Sequence, residues 1–253
     1  MLTKRRQRIL EILQKEGMVE TSSLSKKFNV SFMTIRRDLL FFEKQGIINT
    51  THGGATLIEG ATAEPALDVK QTQMMGEKKA IGKAAADLVK DGMAIFIDCG
   101  STTKEVASAL KDMKNLTVVT NSLLVANTLS YYKNIKLIML PGVFRQKSLG
   151  FYGISTVNSL NKMHIDIGFI GTEGIDAKRG ATVPDIEDSE LKRAIAEVSS
   201  KVVVVADHKK IGKSFFSSFL EIKRIHTLIT GEAAPKDNLD TLRNLGVEVV
   251  LAN

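Results

Sequence analysis

The chain has 253 residues, of which 43% are hydrophobic, and its 35 Lys and Arg against 28 Asp and Glu give a net charge of +7. A single cysteine excludes an internal disulfide framework, and no apolar run reaches the about 18 residues of a membrane helix. We therefore expect a cytoplasmic protein with one small and one larger domain and no secretion signal. The histidines lack metal-ligand spacing, so we expect neither a metal nor a cofactor.

Positive charge is concentrated near the amino terminus. Residues 1–60 hold ten basic and six acidic side chains and therefore carry +4 of the net +7. Such an excess favours contact with nucleic-acid phosphates, because each neutralised phosphate releases counterions. A basic face that is simply hydrated remains the alternative explanation of the charge.

Two helices are predicted first. From residue 4 to residue 15 apolar side chains recur at helical spacing between arginines, and Gly17 ends the segment. A second helix is predicted over residues 21–28, where a cluster of Thr and Ser can cap its start. Asn29 and Val30 then form a turn into a third helix.

The third helix carries the strongest functional signal in the chain. Ser31 can cap it, and Ile35, Leu39 and Phe42 repeat as a buried stripe, while hydroxyl and guanidinium donors occupy the first turns. Asp38 is expected to orient an arginine rather than meet DNA, because phosphate repels a carboxylate. The residues expected to contact double-stranded DNA are Ser31, Phe32, Met33, Thr34, Arg36 and Arg37 of this helix and His52 beyond it.

A hairpin is predicted after this helix. Gly46 ends the helix, and residues 47–55 contain glycines where the backbone must bend tightly, as in the wing of a winged helix-turn-helix domain. Three amphipathic helices with basic residues also occur in small domains that bind no DNA, so the pattern alone leaves that alternative open.

The organisation of the chain changes after the hairpin. We assign residues 1–57 to the DNA-binding domain, 58–76 to a linker interrupted by Gly60 and Pro65, and 77–253 to a larger domain. In the larger domain, apolar β-branched runs alternate with helical segments, which predicts a mostly parallel α/β sheet covered on both faces. Strands are predicted over 93–97, 116–120, 135–140, 165–170, 202–206, 227–230 and 247–251, and helices over 78–90, 102–110, 123–130 and 188–199.

Polar and glycine residues follow the predicted strands. In parallel α/β folds ligands bind at the carboxyl ends of the strands, and helix starts there present N–H groups and hydroxyls to anions. A single Gly-Ser-Thr turn is more often a helix cap than a phosphate cradle, but several at one edge favour a phosphorylated, polyhydroxylated ligand. The candidate ligand residues are Asp98, Gly100, Ser101, Thr102, Thr103, Asn121, Ser122, Gly171, Asp176 and Lys210.

These motifs together resemble a known family across nearly the whole chain. The run TIRRDL followed by HGGA is similar to the amino-terminal signature of the DeoR family of bacterial transcriptional repressors. The strand-end motifs resemble those of the family's effector domain. The matching segments are residues 34–39, 52–55, 98–103, 120–122, 171–176 and 207–212.

The resemblance implies both a fold and a function. It implies a winged helix-turn-helix domain and an effector domain similar to ribose-5-phosphate isomerase and the coenzyme A transferases. It further implies a repressor of a carbohydrate operon, a homodimer or homotetramer, that a phosphorylated sugar releases from its operator. The wing departs from the family pattern: residues 49–51 are Asn-Thr-Thr where a basic residue is common, so phosphate contact there is expected to be weaker or to use hydroxyls.

Two other functions are compatible with parts of the sequence. A sugar isomerase would use Asp98, Asp185, Glu187 or Lys210 as acid or base and Cys99 as nucleophile, but it has no need of a DNA-binding domain. We expect Cys99 to be a packing residue and the protein not to be an enzyme. A purely structural oligomerisation domain would leave the hydroxyl-rich strand ends unexplained.

Overall fold

The computed structural model describes residues 3–58, 60, 62–64 and 67–253. It divides into two compact units, and the boundary lies between Gln73 and Met74. The amino-terminal unit contains helices α1 (Lys4–Glu16), α2 (Thr21–Phe28), α3 (Phe32–Lys44) and α4 (Leu67–Lys70) and strands β1 (Met18–Glu20), β2 (Ile48–Thr50) and β3 (Gly54–Leu57).

The three predicted helices of the amino-terminal unit are confirmed. Thr3 accepts a hydrogen bond from Arg6 N at the start of α1, and Gly17 ends that helix in the left-handed conformation with φ 74°. Asn29, also left-handed, ends α2. Their apolar stripes meet in one core whose fully buried members include Ile9, Leu13, Ile35, Phe42 and Ile48.

The predicted wing is confirmed, with one strand more than the sequence indicated. Strands β2 and β3 form the hairpin, and β1 pairs with β3 to give an antiparallel sheet in the order β1-β3-β2. A Cβ atom at Gly54 would lie 1.9 Å from the carbonyl oxygen of Val19, so only glycine allows β3 to approach β1 this closely. With three residues, β1 is too short to show an alternating pattern.

The predicted linker is partly structured. Helix α4 lies within it, and Val69 of that helix is fully buried in the core of the amino-terminal unit. Burial of a β-branched side chain against this core holds the segment, although its composition is that of a loop. Pro65, predicted to interrupt the linker, lies outside the described residues.

The second unit is an α/β domain. Its helices are α5 (Met75–Ala86), α6 (Ser101–Ala109), α7 (Leu123–Leu129), α8 (Ile154–Leu160), α9 (Ile186–Val198) and α10 (Lys236–Asn244). Its strands are β4 (Ala94–Ile97), β5 (Leu116–Thr120), β6 (Ile135–Met139), β7 (Val143–Arg145), β8 (Gly150–Tyr152), β9 (Ile165–Gly171), β10 (Gly174–Asp176), β11 (Gly180–Val183), β12 (Ser199–Val205), β13 (Ser217–Leu220), β14 (Thr227–Gly231) and β15 (Glu248–Ala252).

A seven-stranded parallel sheet forms the centre of this unit. The strand order is β15-β14-β12-β9-β4-β5-β6, and all six pairings are parallel. Val202 and Val204 of β12 belong to one apolar core, and Val203 and Val205 belong to the core on the opposite face. Burial on both faces explains why the strands read as continuous apolar runs, and it confirms the predicted α/β class.

Several elements were not predicted. Strands β7 and β8 form a hairpin, strands β10, β11 and β13 form a small antiparallel sheet, and α8 and α10 add two helices. These strands have three or four residues each, and α10 buries only Leu239 and Leu242, so their sequences carry too few apolar repeats to be recognised. Within the described part of the chain, no helix has the length and apolar character needed to cross a membrane.

Candidate nucleic-acid interface and ligand site

The start of α3 is held by two hydroxyl groups. Ser31 accepts a hydrogen bond from the backbone N–H of Thr34 at 3.3 Å, and the two side-chain oxygens lie 2.9 Å apart. Phe32 and Met33 follow with exposed fractions of 59% and 58%, although both are large apolar side chains. Apolar side chains exposed at a helix start have no role in the core and are suited to contact with a partner surface.

Arg36 and Arg37 occupy different faces of α3, and both are exposed. Arg36, Phe32 and Met33 line a cleft of about 900 Å³ between α3 and the wing, and His52 lies on its wing side. Successive residues of a helix are about 100° apart, which turns Arg37 away from this cleft and away from the buried stripe of α3. The helix therefore presents one arginine beside the wing and one directly outward.

The wing hydroxyl of Thr50 is already engaged. Its side chain and its backbone N–H both donate hydrogen bonds to the carboxylate of Glu43 near the end of α3. These hydrogen bonds lower the pKa of Glu43 below its ordinary value. Thr50 therefore holds the wing against α3, and this hydroxyl is not free to replace the missing basic residue.

Asp38 orients arginines, but they come from another helix. Its carboxylate is 2% exposed and accepts one hydrogen bond from Nε of Arg5 at 2.6 Å and one from Nε of Arg6 at 2.8 Å. The guanidinium of Arg6 also lies 4.1 Å above the ring of Phe41. The partners are more than 30 residues apart in sequence, and no local pattern could have identified them.

In the second unit, the strand ends surround a buried carboxylate. Asp98, directly after β4, is fully buried and accepts hydrogen bonds from the backbone N–H of Cys99 at 2.7 Å and of Gly171 at 3.1 Å. Its third partner is the ammonium group of Lys192 on α9. Two predicted residues, Asp98 and Gly171, are thus brought into direct contact.

Lys192 is the main residue that the sequence reasoning missed. It is 3% exposed and lies 3.4 Å from Asp188 in addition to its contact with Asp98. Burial alone would lower the pKa of Lys192, but the carboxylates of Asp188 and Asp98 raise it above its ordinary value. The ammonium group therefore stays protonated, and the two carboxylates balance its charge. A lysine inside an amphipathic helix, 94 residues from Asp98, gives no sequence signal of this role.

The helix starts next to Asp98 use several of the predicted hydroxyls internally. Thr103 donates to the carbonyl of Gly100 at 3.1 Å and is fully buried, whereas Ser101 and Thr102 each retain 8% exposure. Ser122 accepts from the backbone N–H of Val125 and caps α7. Ser101 and Thr102 are therefore better placed than Thr103 to meet a ligand.

The hairpin β7–β8 lies over the residues that follow β5. The Asn121 carbonyl accepts from the Phe151 N–H and the Leu149 carbonyl accepts from the Leu123 N–H, each at 2.9 Å. The side-chain amide of Asn121 donates to Phe151 O at 3.3 Å, but its oxygen, buried from solvent, has no hydrogen-bond partner among the described residues. Asn121 and Ser122 are fully buried beneath this hairpin.

A salt bridge connects the same hairpin to α9. The guanidinium of Arg145, at the end of β7, lies 3.0 Å from the carboxylate of Asp185, which caps α9. Tyr152 of β8 is buried beside the site. Burial and the nearby Cys99, Asp188 and Asp98 raise the pKa of its hydroxyl well above the ordinary value. The hairpin therefore packs against α9 through Arg145 and lies near Asp98 through Tyr152.

Cys99 has the character of a packing residue, as predicted. Burial, with smaller contributions from Asp98 and Asp188, raises the pKa of its thiol far above the ordinary value. A nucleophilic cysteine needs the thiolate at neutral pH, which this environment disfavours.

Asp176 and Lys210 lie on two adjacent loops and have different partners. Asp176 accepts from the backbone N–H groups of Lys178 and Arg179 and stabilises its own turn. Lys210 lies 2.5 Å from Glu173, and burial, which alone would lower its pKa, is outweighed by Glu173 and Asp207, which raise it. The Gly212 N–H donates to the carbonyl of Ile175, which places the two loops side by side.

Metal binding has no structural support within the described ranges. No three His, Cys, Asp or Glu side chains there are grouped as metal ligands.

Comparison with known proteins assigns both units. Residues 5–61 match the family described as the DeoR-like helix-turn-helix domain, and residues 73–232 match the DeoR C terminal sensor domain. The chain therefore belongs to the DeoR family of transcriptional regulators, and the relatives of similar sequence described below are transcriptional regulators.

Individual relatives cover nearly the full chain. A protein of Escherichia coli O157:H7, provisionally named the aga operon transcriptional repressor, is 35% identical over 98% of this chain and 93% of its own length. The glycerol-3-phosphate regulon repressor of Escherichia coli K12 is 34% identical over 98% of both chains. Among solved structures, ribose 5-phosphate isomerase A of Methanocaldococcus jannaschii is 19% identical and covers 53% of this chain and 52% of that chain, with a TM-score of 0.39.

Proposed function

We propose that the protein is a cytoplasmic repressor that binds the operator of a carbohydrate-utilisation operon and is released from it by a phosphorylated sugar. The observation that carries the proposal is the exposed face of α3, where Phe32, Met33, Arg36 and Arg37 project from a capped helix beside a wing. A helix of this kind fits the major groove, which is about 12 Å wide.

Each part of this face has a separate role in DNA binding. The apolar side chains of Phe32 and Met33 suit contact with thymine methyl groups, and the arginines suit guanine edges or phosphates. Ser31 and Thr34 offer hydroxyls at the helix start, and His52 at the tip of the wing contacts the DNA backbone. A homodimer or homotetramer would place two such helices on half-sites about 34 Å apart, or at multiples of that spacing.

The effector occupies the strand ends of the second unit. Ser101 and Thr102 supply hydroxyls at the start of α6, where backbone N–H groups suit an anionic ligand. Lys192, whose ammonium group is paired with Asp98 and Asp188, holds the Asp98 carboxylate in place beside them. The name of one relative, a glycerol-3-phosphate regulon repressor, supports a phosphorylated ligand. The full proposed set is Asp98, Gly100, Ser101, Thr102, Thr103, Asn121, Ser122, Gly171, Asp176, Lys192 and Lys210.

Regulation requires that the effector bind the DNA-competent and DNA-incompetent states with different free energies. The hairpin β7–β8 is the element that we expect to differ between these states, because it covers Asn121 and Ser122 and carries Arg145, whose guanidinium pairs with Asp185. The ligand would compete with Asp185 for Arg145 and so change the position of the hairpin.

Two measurements test this function. Selection of bound duplexes from a random pool is expected to yield a sequence with two-fold symmetry. Titration of phosphorylated and unphosphorylated sugars into the resulting complex is expected to release DNA only with a phosphorylated compound. If no phosphorylated sugar changes the affinity, the effector assignment is wrong, and turnover of any sugar phosphate by the protein would favour the isomerase alternative.

A further inference from the structure

The contact between Asp38 and two arginines leaves one positive charge without a balancing carboxylate, although the Arg6 guanidinium also lies over the ring of Phe41. Asp38 accepts one hydrogen bond from each arginine, and in both cases the donor is Nε. Among the described residues, the terminal Nη groups of Arg5 and Arg6 make no hydrogen bond or ion pair. One carboxylate balances only one of the two guanidinium charges, so the cluster carries a net charge of about +1.

The geometry differs from what a purely structural connection needs. A single arginine joined to a carboxylate by two parallel hydrogen bonds would link α1 to α3 and neutralise both charges. Here two arginines share one carboxylate, and their side chains remain 32% and 22% exposed. The hydrogen bonds to Asp38 hold Nε of each arginine in place, while the N–H groups of the terminal Nη atoms remain available to an anion.

The position of the cluster indicates which anion it would meet. Asp38 lies one turn of α3 beyond Thr34, so both guanidinium groups lie beside the helix that we propose to enter the major groove. An α-helix with its side chains is about 10–12 Å wide and nearly fills that groove. Side chains at its flank therefore lie at the groove edge, which is formed by phosphates.

A basic groove adjoins the cluster. Lys4, Arg5 and Arg8 line it on α1, together with the single acidic residue Glu11, and its volume is about 620 Å³. Its other wall is formed by Phe28 and Val30, next to the turn that leads into α3. The positive charge thus extends from Arg5 along α1.

We propose that Arg5 and Arg6, positioned by Asp38, form a phosphate-binding site on α1. This site binds the DNA backbone beside the bases contacted by α3. The proposal rests on the proposed DNA-binding function and adds a contact that the helix-turn-helix pattern does not assign. Asp38 is then a positioning residue: it carries a negative charge near DNA, yet it improves binding because it holds two cations in place.

The test is the salt dependence of binding for the full-length protein on its selected operator and on an unrelated duplex. The Arg5→Gln/Arg6→Gln variant is expected to lower the slope of log K against log salt by about two, because each lost phosphate contact lowers it by about one. The loss is expected on both duplexes. Lys15→Gln, at the far end of α1, removes a charge from the same helix and is expected to leave the slope unchanged.

The Asp38→Asn variant distinguishes the positioning of the two arginines by Asp38 from the effect of its negative charge on DNA binding. If only charge mattered, removal of a carboxylate would tighten DNA binding, whereas the proposed positioning role predicts weaker binding on both duplexes. Thermal unfolding shows whether the variant is folded, and if it is not, the single variants Arg5→Gln and Arg6→Gln carry the test, each with a slope lower by about one. An unchanged slope in the folded double variant overturns the proposal, and tighter binding by folded Asp38→Asn overturns the role of Asp38.

Failure of the proposal is distinguishable from failure of DNA binding as such. If the wild-type protein binds its operator and Arg36→Ala loses affinity for it while the Arg5 and Arg6 variants bind normally, only the phosphate site on α1 is wrong. If the wild-type protein prefers no duplex sequence, the proposed function is wrong as well.

Discussion

Neighbouring arginines of α3 have different surroundings, and this difference determines what each can contact. Arg36 faces the cleft beside the wing, and Arg37 projects away from the core. The next residue, Asp38, is buried and points to α1. Three consecutive side chains thus point in three different directions, because successive residues of an α-helix are rotated by about 100°.

Replacement of Arg36 by Ala is expected to weaken operator binding by about 1–3 kcal/mol and to relax the preference at one base position. The measurement is binding to the selected operator and to a set of single-base variants. Equal weakening on operator and unrelated DNA would instead mean that Arg36 contacts phosphate, and Arg37→Ala, measured in the same way, would then be expected to relax specificity. Unchanged specific binding in both variants would contradict the proposed role of this face.

Cys99 gives a pH-dependent prediction. Its thiol stays protonated in the folded protein, whereas in the unfolded chain it loses its proton above about pH 8.5. The unfolded state therefore binds fewer protons above that pH, and the free energy of unfolding falls by about 1.4 kcal/mol per pH unit for this group. The raised pKa values of Tyr152 and Lys192 act in the same direction, but only above about pH 10.

Urea unfolding between pH 8 and pH 10 is expected to show a smaller loss of stability in Cys99→Ala than in the wild type. The comparison isolates the thiol, because Tyr and Lys side chains titrate later in the unfolded chain. Equal pH dependence of the two proteins would show that the thiol is not buried as described.

At the scale of elements, the hairpin β7–β8 lies very close to the strand ends at Gly150. A Cβ atom at Gly150 would lie 2.2 Å from Sγ of Cys99 and 3.0 Å from the ring of Tyr152. Only glycine lets the hairpin lie flat over Asn121 and Ser122. The hairpin thus covers two residues that we propose to contact the effector, although it has only three residues in each strand.

Gly150→Ala is expected to destabilise the protein by about 1–3 kcal/mol, because the new methyl group overpacks the contact with Cys99. Part of this cost is expected to disappear in Gly150→Ala/Cys99→Ala, so a double-mutant cycle by chemical denaturation should give a favourable coupling energy. Gly76→Ala serves as the control, since a Cβ there meets nothing within 4 Å. Strict additivity of the Gly150 and Cys99 changes would contradict the contact.

At the scale of the whole molecule, DNA binding and effector binding are assigned to different units. The residues proposed to contact DNA all precede Gln73, and those proposed to contact the effector all follow Met74. Substitutions in the second unit should therefore separate the response to ligand from DNA affinity itself. This separation is what distinguishes a regulator from a protein in which ligand and DNA compete for one surface.

Lys210→Ala is expected to leave operator affinity unchanged and to raise the concentration of phosphorylated sugar needed for release. The physical reason is loss of a cation whose pKa is raised by Glu173 and Asp207, so that it is charged at all physiological pH values. Lys209→Ala, at the exposed neighbouring position, is the matched control and is expected to respond as the wild type does. An unchanged response in Lys210→Ala would remove this residue from the effector site.

Local periodicity was sufficient for much of the fold. The cap at Ser31 and the helix end at Gly17 lie where the sequence indicated, because caps and apolar stripes are set by residues within one or two turns. The central strands were also predicted from the sequence, since strands buried on both faces have continuous apolar runs. The hairpin β7–β8 and the sheet of β10, β11 and β13 were not, because three-residue strands stabilised by distant partners have no pattern of their own.

The sequence by itself determined the class of this protein. Short local segments were enough to predict a capped basic helix, a wing with glycines, and polar turns after apolar strands. Only the tertiary structure decided how charges are paired. It joined Asp38 to Arg5 and Arg6, and Asp98 to Lys192, across more than 30 and more than 90 residues. The physical reason is that an ion pair needs closeness in space and none along the chain, and packing of helices against each other and against the sheet creates that closeness.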